Sequence, residues 1–153
     1  MYKKILVALD GSDFSECSLE DVRTMVKDSP KTEVVLLRVL EPMPEYYMTR
    51  RIGEDFRRKA TEAATADATE YLNKLTVGLK KEGITTSVAV KEGKPAEEIL
   101  DFARKNQIEL IVLTTHGRSG VSRLALGSVA EKVIRSSALP VLSISPPGCR
   151  IEE

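Results

Sequence analysis

The stretch ELIVLTTHGRSGVSRLALGSVAEKV, residues 109–133, places a glycine-rich segment between a continuous apolar run and an amphipathic pattern. The run ELIVLTT (109–115) does not alternate, which is typical of a strand buried on both faces of a parallel sheet. Ser128 followed by Glu131 has the spacing of a capping box at the start of a helix. Glycines between such elements are expected where the backbone turns tightly or lies close to another group. They are Gly117, Gly120 and Gly127.

Four further apolar runs have the length of strands. KILVAL (4–9) and EVVLLRVL (33–40) are continuous, so they too are predicted to be buried on both faces. ITTSVAV (84–90) and PVLSIS (140–145) are more polar, and the second begins with a proline, which suits strands at the edge of a sheet. Together with the run at 109–115, they make five predicted strands.

Helical patterns occupy the intervals between these runs. DFSE (13–16) has Asp followed three residues later by Glu, a start signal close to a capping box. Residues 53–81 are rich in Ala, Glu and Lys, and Gly83 is expected to end that helix. Pro95 is predicted to stand near the first helical position of the next one. The apolar face of the long helix is predicted to comprise Phe56, Ala60, Ala64, Ala68, Leu72, Leu75 and Leu79.

The alternation of strands and helices predicts the fold class. It indicates an α/β protein with a Rossmann-like, doubly wound, five-stranded parallel sheet and helices on both faces. The polar third and fifth strands favour the order 3-2-1-4-5. We expect one domain, residues 1–146, followed by a short C-terminal tail, residues 147–153. The long connection at 41–53 is either a mobile lid or a plain surface loop.

Charge and cysteine content exclude several classes of partner. The 153 residues contain 23 Lys and Arg and 23 Asp and Glu, so no net field favours nucleic acid or an anionic membrane. No apolar run is long enough for a membrane span or a signal sequence. Cys17 and Cys149 are far apart in the sequence and lack a CxxC or a histidine partner, which favours free thiols over a disulfide or zinc site. A cytoplasmic location is expected.

Ligands of such a sheet bind outside the carboxyl ends of the strands, where the winding reverses. Here this crevice lies between the first and fourth strands, so Asp10 is expected to face the glycine cluster. A carboxylate there can accept hydrogen bonds from ribose hydroxyls, and the amino end of the helix at Ser128 favours an anion. The purely structural alternatives are that Asp10 only forms an Asx-turn and that Gly127 and Ser128 only turn the chain and cap a helix. Since Asp13 and Glu16 would repel phosphate, phosphates are expected near Gly127.

Familiar nucleotide motifs are missing. The chain has no GxxxxGK[ST] phosphate loop, and no GxGxxG follows the first strand. An FMN site would favour an uncharged, hydroxyl-rich loop after the first strand, whereas the loop at 10–16 carries three acids. An FMN-binding electron carrier is therefore a weak alternative.

Four segments together resemble the universal stress protein family over essentially the whole chain. They are KKILVALDGS, LLRVLEP, GKPAEEIL and THGRSGVSRLALGSVAEKVIRSSALPVLSI. The resemblance implies a stress-response protein that binds an adenine nucleotide, ATP or AMP, as a binder or switch. It also implies a homodimer formed through the last strand, Val141 to Ser145.

The ATP-binding members of that family carry Gly-x-x-Gly, nine residues, and then Gly-Ser or Gly-Thr. Gly117 and the pair Gly127-Ser128 match this pattern, whereas Thr114 stands at the first glycine position. The departure at Thr114 keeps open a homodimeric protein-interaction module with an unoccupied nucleotide site. By position, the resemblance implies ribose at Asp10, adenine at the Val39 backbone, apolar walls at Leu9 and Leu113, and phosphates near Thr114, Gly117, Gly127, Ser128 and Val129. Mg²⁺ would accompany ATP, held mainly by phosphate oxygens and water.

His116 is the only histidine and stands beside the expected phosphates. It could act as a general base, or as a neutral side chain that caps the turn or donates to phosphate. The motif lacks the lysine of phosphoryl-transfer loops, and no paired carboxylates are evident. The sequence therefore favours a binder or switch with at most slow ATP hydrolysis.

Overall fold

Strands and helices alternate along the chain as the sequence predicts. The structure, a computed structural model, describes residues 1–43, 53–116 and 126–146. The strands are β1 (Lys4–Leu9), β2 (Glu33–Leu40), β3 (Thr85–Glu92), β4 (Leu110–Thr114) and β5 (Val141–Ile144). The helices are α1 (Asp13–Glu16), α2 (Ser18–Val26), α3 (Glu54–Lys81), α4 (Pro95–Lys105) and α5 (Ser128–Ser136).

The five strands form one parallel sheet in the order β3-β2-β1-β4-β5. The α/β class and the 3-2-1-4-5 order predicted from the sequence are confirmed. β1 is central, pairing with β2 on one side and β4 on the other, with Leu9 opposite Arg38 and Val7 opposite Val112. The polar strands β3 and β5 are the edge strands, since each pairs with only one neighbouring strand. Winding reverses between β1 and β4, so the connections that follow these two strands lead to opposite faces of the sheet and leave a crevice at their carboxyl ends.

Two apolar layers cover the sheet, one on each face. The continuous runs explain this, because alternate side chains of β1, β2 and β4 enter opposite layers. One layer packs Val7 and Leu36 against α2 and α3. The other packs Leu6 and Leu37 against α4 and α5. Helices on both faces were expected from the alternation, and the structure places them there.

Several helix boundaries follow local chemistry. Gly83 has φ +81° and ends α3, and Pro95 occupies the first turn of α4, both as predicted. The DFSE start signal is shifted, because Ser12 rather than Asp13 caps α1 and its side chain accepts a hydrogen bond from the Ser15 N–H.

Two predictions from the helical patterns are wrong. Ser128 and Glu131 form no capping box, since the N-cap of α5 is Gly127, without a side-chain hydrogen bond. The Glu131 carboxylate instead accepts from Arg135 Nε at 3.0 Å. Phe56 is not on a buried face but 57% exposed, and the buried residues of α3 all lie further along the helix, at Ala68, Leu72, Thr76 and Leu79. Ala64, on the predicted face, is exposed as well.

Some sequence predictions fall on residues outside the described part of the chain. Residues 44–52 contain most of the connection expected to be a lid or surface loop. The predicted tail, residues 147–153, also lies outside, as does Gly117.

Candidate functional site

A cleft of about 710 Å³ opens at the carboxyl ends of β1, β2 and β4, where the winding reverses. Its volume lies within the range of roughly 300–1,000 Å³ that is usual for small-molecule sites. It is lined by residues from both faces of the sheet and from α1, α3, α4 and α5. Eight of the ten expected site residues are among them: Leu9, Asp10, Val39, Leu113, Thr114, Gly127, Ser128 and Val129.

Asp10 forms a tight turn at the end of β1. Its Oδ1 accepts hydrogen bonds from the Ser12 N–H at 2.9 Å and from the Ser12 hydroxyl. The Asp10 N–H donates to Ser15 Oγ at 3.3 Å. Gly11 has φ +83°, a conformation that favours glycine. The Asx-turn considered for the sequence is therefore present, and it places the carboxylate in the wall of the cleft.

Gly127 lies against the protein's own backbone. Its N–H donates to the Thr115 carbonyl oxygen at 2.7 Å, and a Cβ added to it would come within 2.8 Å of that same oxygen. Real Cβ atoms essentially never approach a backbone oxygen so closely. The glycine is thus required by the contact between the start of α5 and the end of β4.

The amino end of α5 has no side-chain cap among the described residues. The first backbone N–H groups of a helix lack intrahelical partners and carry the positive end of its dipole. Ser128, Val129 and Ala130 belong to this first turn, and all three line the cleft. An anion in the cleft can therefore satisfy backbone N–H groups that no described side chain caps.

Thr114 and His116 are held together at the end of β4. Thr114 Oγ1 donates to the His116 carbonyl oxygen at 2.8 Å, which stabilises the backbone just before Gly117. The His116 Nδ1 lies 2.8 Å from Thr115 Oγ1, and its side chain is buried. Thr114 and Thr115 line the cleft, whereas His116 is buried and is not among the lining residues.

Apolar surface forms the rest of the cleft. Leu9 and Leu113 are both buried, but their side chains join opposite layers of the core. Pro95 and Ile99 of α4 also line the cleft, although their positions gave no sequence signal beyond that of a helix. Val39 is half-buried in the layer that packs on α4 and α5.

Arg38 also lines the cleft and was missed by sequence reasoning. Arg38 lies near the end of β2 and opposite Leu9, the last residue of β1. Aligning the two predicted strands in parallel would have placed it beside the cleft. Its guanidinium carbon lies 5.5 Å from the centre of the Tyr71 ring, within reach of a cation–π interaction. The Tyr71 hydroxyl donates to Glu16 Oε1 at 2.7 Å. Burial, and then this hydrogen bond to a carboxylate, raise the pKa of Tyr71 well above its usual value, so the phenol is protonated at neutral pH.

The described residues contain no group of three or more His, Cys, Asp or Glu side chains that could hold a metal ion. No helix in the described ranges has the length and apolar character needed to cross a bilayer.

Comparison with known proteins identifies the family. The model of the universal stress protein family matches residues 1–145. Universal stress protein MJ0531 of Methanocaldococcus jannaschii is 33% identical over 147 residues, covering 96% of this chain and 84% of that protein. The solved structure of MJ0577, studied for structure-based assignment of biochemical function, is 29% identical with a TM-score of 0.81, covering 100% of this chain and 99% of the other.

Two more distant solved structures contain adenine nucleotides. A universal stress protein in complex with cAMP is 20% identical, with a TM-score of 0.68 over 94% of this chain and 97% of that one. A family protein from Arabidopsis thaliana with AMP bound is 17% identical, with a TM-score of 0.65 over 99% of this chain and 96% of that one. At these identities the likeness shows the shared fold. Taken with the family match over residues 1–145, it leads to one conclusion: this chain belongs to the universal stress protein family.

Proposed function

We propose that this protein is a cytoplasmic stress-response protein that binds an adenine nucleotide, ATP or AMP, as a dimeric binder or switch. One observation carries the proposal: the Asp10 carboxylate and the uncapped amino end of α5 line the same cleft. These groups have opposite charge, and a nucleotide offers hydroxyls to the first and phosphates to the second. The AMP and cAMP complexes of proteins with this fold support the choice of an adenine nucleotide.

The proposed arrangement follows the chemistry of the lining. Ribose hydroxyls donate to Asp10, and adenine lies between apolar walls that include Leu9 and Leu113, with its polar edge at the Val39 backbone. Phosphates lie at the first turn of α5, near Gly127, Ser128 and Val129. Thr114 and His116 are proposed to complete that side, with the Thr114 hydroxyl holding the His116 carbonyl. The sequence resemblance adds Gly117 to this part of the proposed site.

Mg²⁺ is proposed to enter with ATP. It would be held by phosphate oxygens and water, because the described residues offer no cluster of metal ligands. We therefore expect at most slow ATP hydrolysis.

Calorimetric titration with ATP, AMP and adenosine tests the proposal, with the ATP titration repeated in the presence of EDTA. Micromolar affinity for ATP, about −8 kcal/mol, is expected. The Asp10→Asn variant keeps an oxygen that can accept from Ser12 but loses the charge, so it should bind all three ligands about tenfold more weakly. Asp13→Asn is the matched control, since Asp13 is an exposed acid three residues away that does not line the cleft.

Two results would contradict the proposal. Wild-type protein that binds none of the three ligands would favour the protein-interaction module with an idle site. Equal losses in the Asp10 and Asp13 variants would show that the acidic loop acts only through its summed charge.

The dimer is proposed to form through β5, from Val141 to Ser145. β5 is an edge strand, and the exposed Ser143 lies in its middle. An edge strand of this kind can pair with its symmetry mate.

A further inference from the structure

The Arg38 side chain lies directly against the turn that carries Asp10. A Cβ built on Gly11 would come within 2.8 Å of the Arg38 guanidinium carbon and closer still to Nη1. The guanidinium therefore occupies the space beside Gly11 that a side chain would fill in any other residue. The φ of +83° constrains Gly11, and the Arg38 guanidinium, the far end of a flexible side chain, lies beside it.

The guanidinium is held from its other side by Tyr71 of α3. The ring centre lies 5.5 Å from the guanidinium carbon, and the ring is anchored by the hydrogen bond from its hydroxyl to Glu16. Glu16 ends α1, the short helix capped by Ser12. Ser12 is also the residue whose N–H and hydroxyl bind the Asp10 carboxylate. These contacts connect α3, α1, Arg38 and the Asp10 turn.

Within the described ranges, no carboxylate forms an ion pair with Arg38. Its planar head is instead in contact with a ring and a backbone, an arrangement for which lysine is a poor substitute. Lysine is compact and strongly hydrated, and it has no plane to place between two surfaces.

We propose that Arg38 is a positioning residue for ribose recognition: clamped between Tyr71 and Gly11, its guanidinium fixes the turn that presents Asp10 to the ribose hydroxyls. This inference rests on the proposed nucleotide function. Because Arg38 is proposed to act through the turn and its contact with Gly11, its removal should change the preference for the ribose hydroxyls.

The test compares the affinity for AMP with the affinity for 2′-deoxy-AMP and 3′-deoxy-AMP. Wild-type protein should prefer AMP over at least one deoxy ligand by about tenfold, because the deoxy ligand donates one hydrogen bond fewer to the carboxylate. Arg38→Met and Arg38→Lys should both remove most of this preference. In an Asp10→Asn background, adding Arg38→Met should cause no further change, as expected for two residues that act through one interaction.

A matched control is available in β3. Lys91 lies over the Phe102 ring at 6.0 Å, a second cation–aromatic pair that does not line the cleft. Lys91→Met should leave the preference for ribose unchanged. Thermal melting of each variant shows whether the substitution destabilises the fold. A residue with a merely structural role would leave the ratio of AMP affinity to deoxy-AMP affinity unchanged.

The outcomes distinguish this inference from the proposed function. If the wild-type protein binds no adenine nucleotide, both are overturned. If it binds AMP and both deoxy ligands equally, or if Arg38→Met keeps the wild-type preference, nucleotide binding stands and the role of Arg38 is wrong. If Arg38→Lys keeps the preference that Arg38→Met loses, charge rather than the planar contact acts, and the positioning role is likewise overturned.

Discussion

The absence of a Cβ at Gly127 allows the start of α5 to pack closely against the end of β4. Its N–H binds the Thr115 carbonyl oxygen, and the same oxygen occupies the space where a side chain would begin. A substitution at this position therefore disturbs the protein itself before any ligand is involved. Loss of nucleotide affinity in a Gly127 variant would not by itself identify a phosphate site.

We predict that Gly127→Ala lowers the free energy of unfolding by about 1–3 kcal/mol, as is usual when an atom is forced into a packed site. Urea denaturation measures this. Gly53→Ala is the matched control, because Gly53 is also an N-cap with φ −60°, and a Cβ there meets nothing within 4 Å. Both variants lose the same intrinsic N-cap preference, so the clash accounts for the difference. Equal destabilisation would show that the contact with Thr115 is unimportant.

Among the elements, α5 presents to the cleft an amino end that no described side chain caps. A carboxylate placed in the first turn would interact favourably with the helix dipole but would repel phosphate. Stability and phosphate binding should thus respond in opposite directions to the same charge.

Ser128→Asp is predicted to raise the free energy of unfolding by about 0.3–1 kcal/mol while weakening binding of ATP more than that of adenosine. Ser128→Asn, which has similar size and no charge, is the control. Thermal melting and calorimetry supply the two measurements. An aspartate variant that binds ATP as tightly as the asparagine variant would place the phosphates elsewhere.

Three strands are linked by side chains at the amino end of the sheet. Glu33 Oε1 accepts from Ser87 Oγ at 2.7 Å, and Glu33 Oε2 lies 3.2 Å from Lys4 Nζ. The hydrogen bond from Ser87, and then the interaction with Lys4, hold the pKa of Glu33 below its ordinary value of 4.5. Because the folded pKa is the lower one, this stabilisation is present above the unfolded value and disappears as the pH falls through the folded value.

Glu33→Gln is therefore predicted to cost up to about 0.5 kcal/mol at about pH 7 and close to nothing at about pH 3, the small size reflecting a pair that is partly exposed to solvent. Urea denaturation at both pH values measures the difference. Ser87→Ala should raise the pKa of Glu33 towards 4.5, as followed by NMR titration. A cost for Glu33→Gln that does not change with pH would contradict this account.

At the scale of the whole molecule, the sheet has two open edges, β3 and β5. The proposed dimer uses β5, and the two edges can be distinguished by placing a charge on each. A lysine on a strand edge disfavours pairing with another strand.

Light scattering of the wild-type protein should therefore give about twice the chain mass of 16.9 kDa. Ser143→Lys on β5 is predicted to give a monomer, whereas Thr85→Lys, at an exposed position on β3, should leave the dimer intact. A monomeric wild-type protein, or a dimer lost only on changing Thr85, would overturn the choice of β5.

The strands, their order and most of the cleft could be predicted from the amino-acid sequence. A continuous apolar run indicates a strand that is buried on both faces, and this is a local property of each strand. The reversal of winding between β1 and β4 then places Asp10 and Ser128 at the same crevice. Only the tertiary structure decided that Gly127 meets Thr115, that Arg38 covers Gly11, and that Phe56 is exposed. The physical reason is that these contacts join residues far apart in the chain, or depend on what covers a helix. Periodicity along one element carries no information about the surface that packs against it.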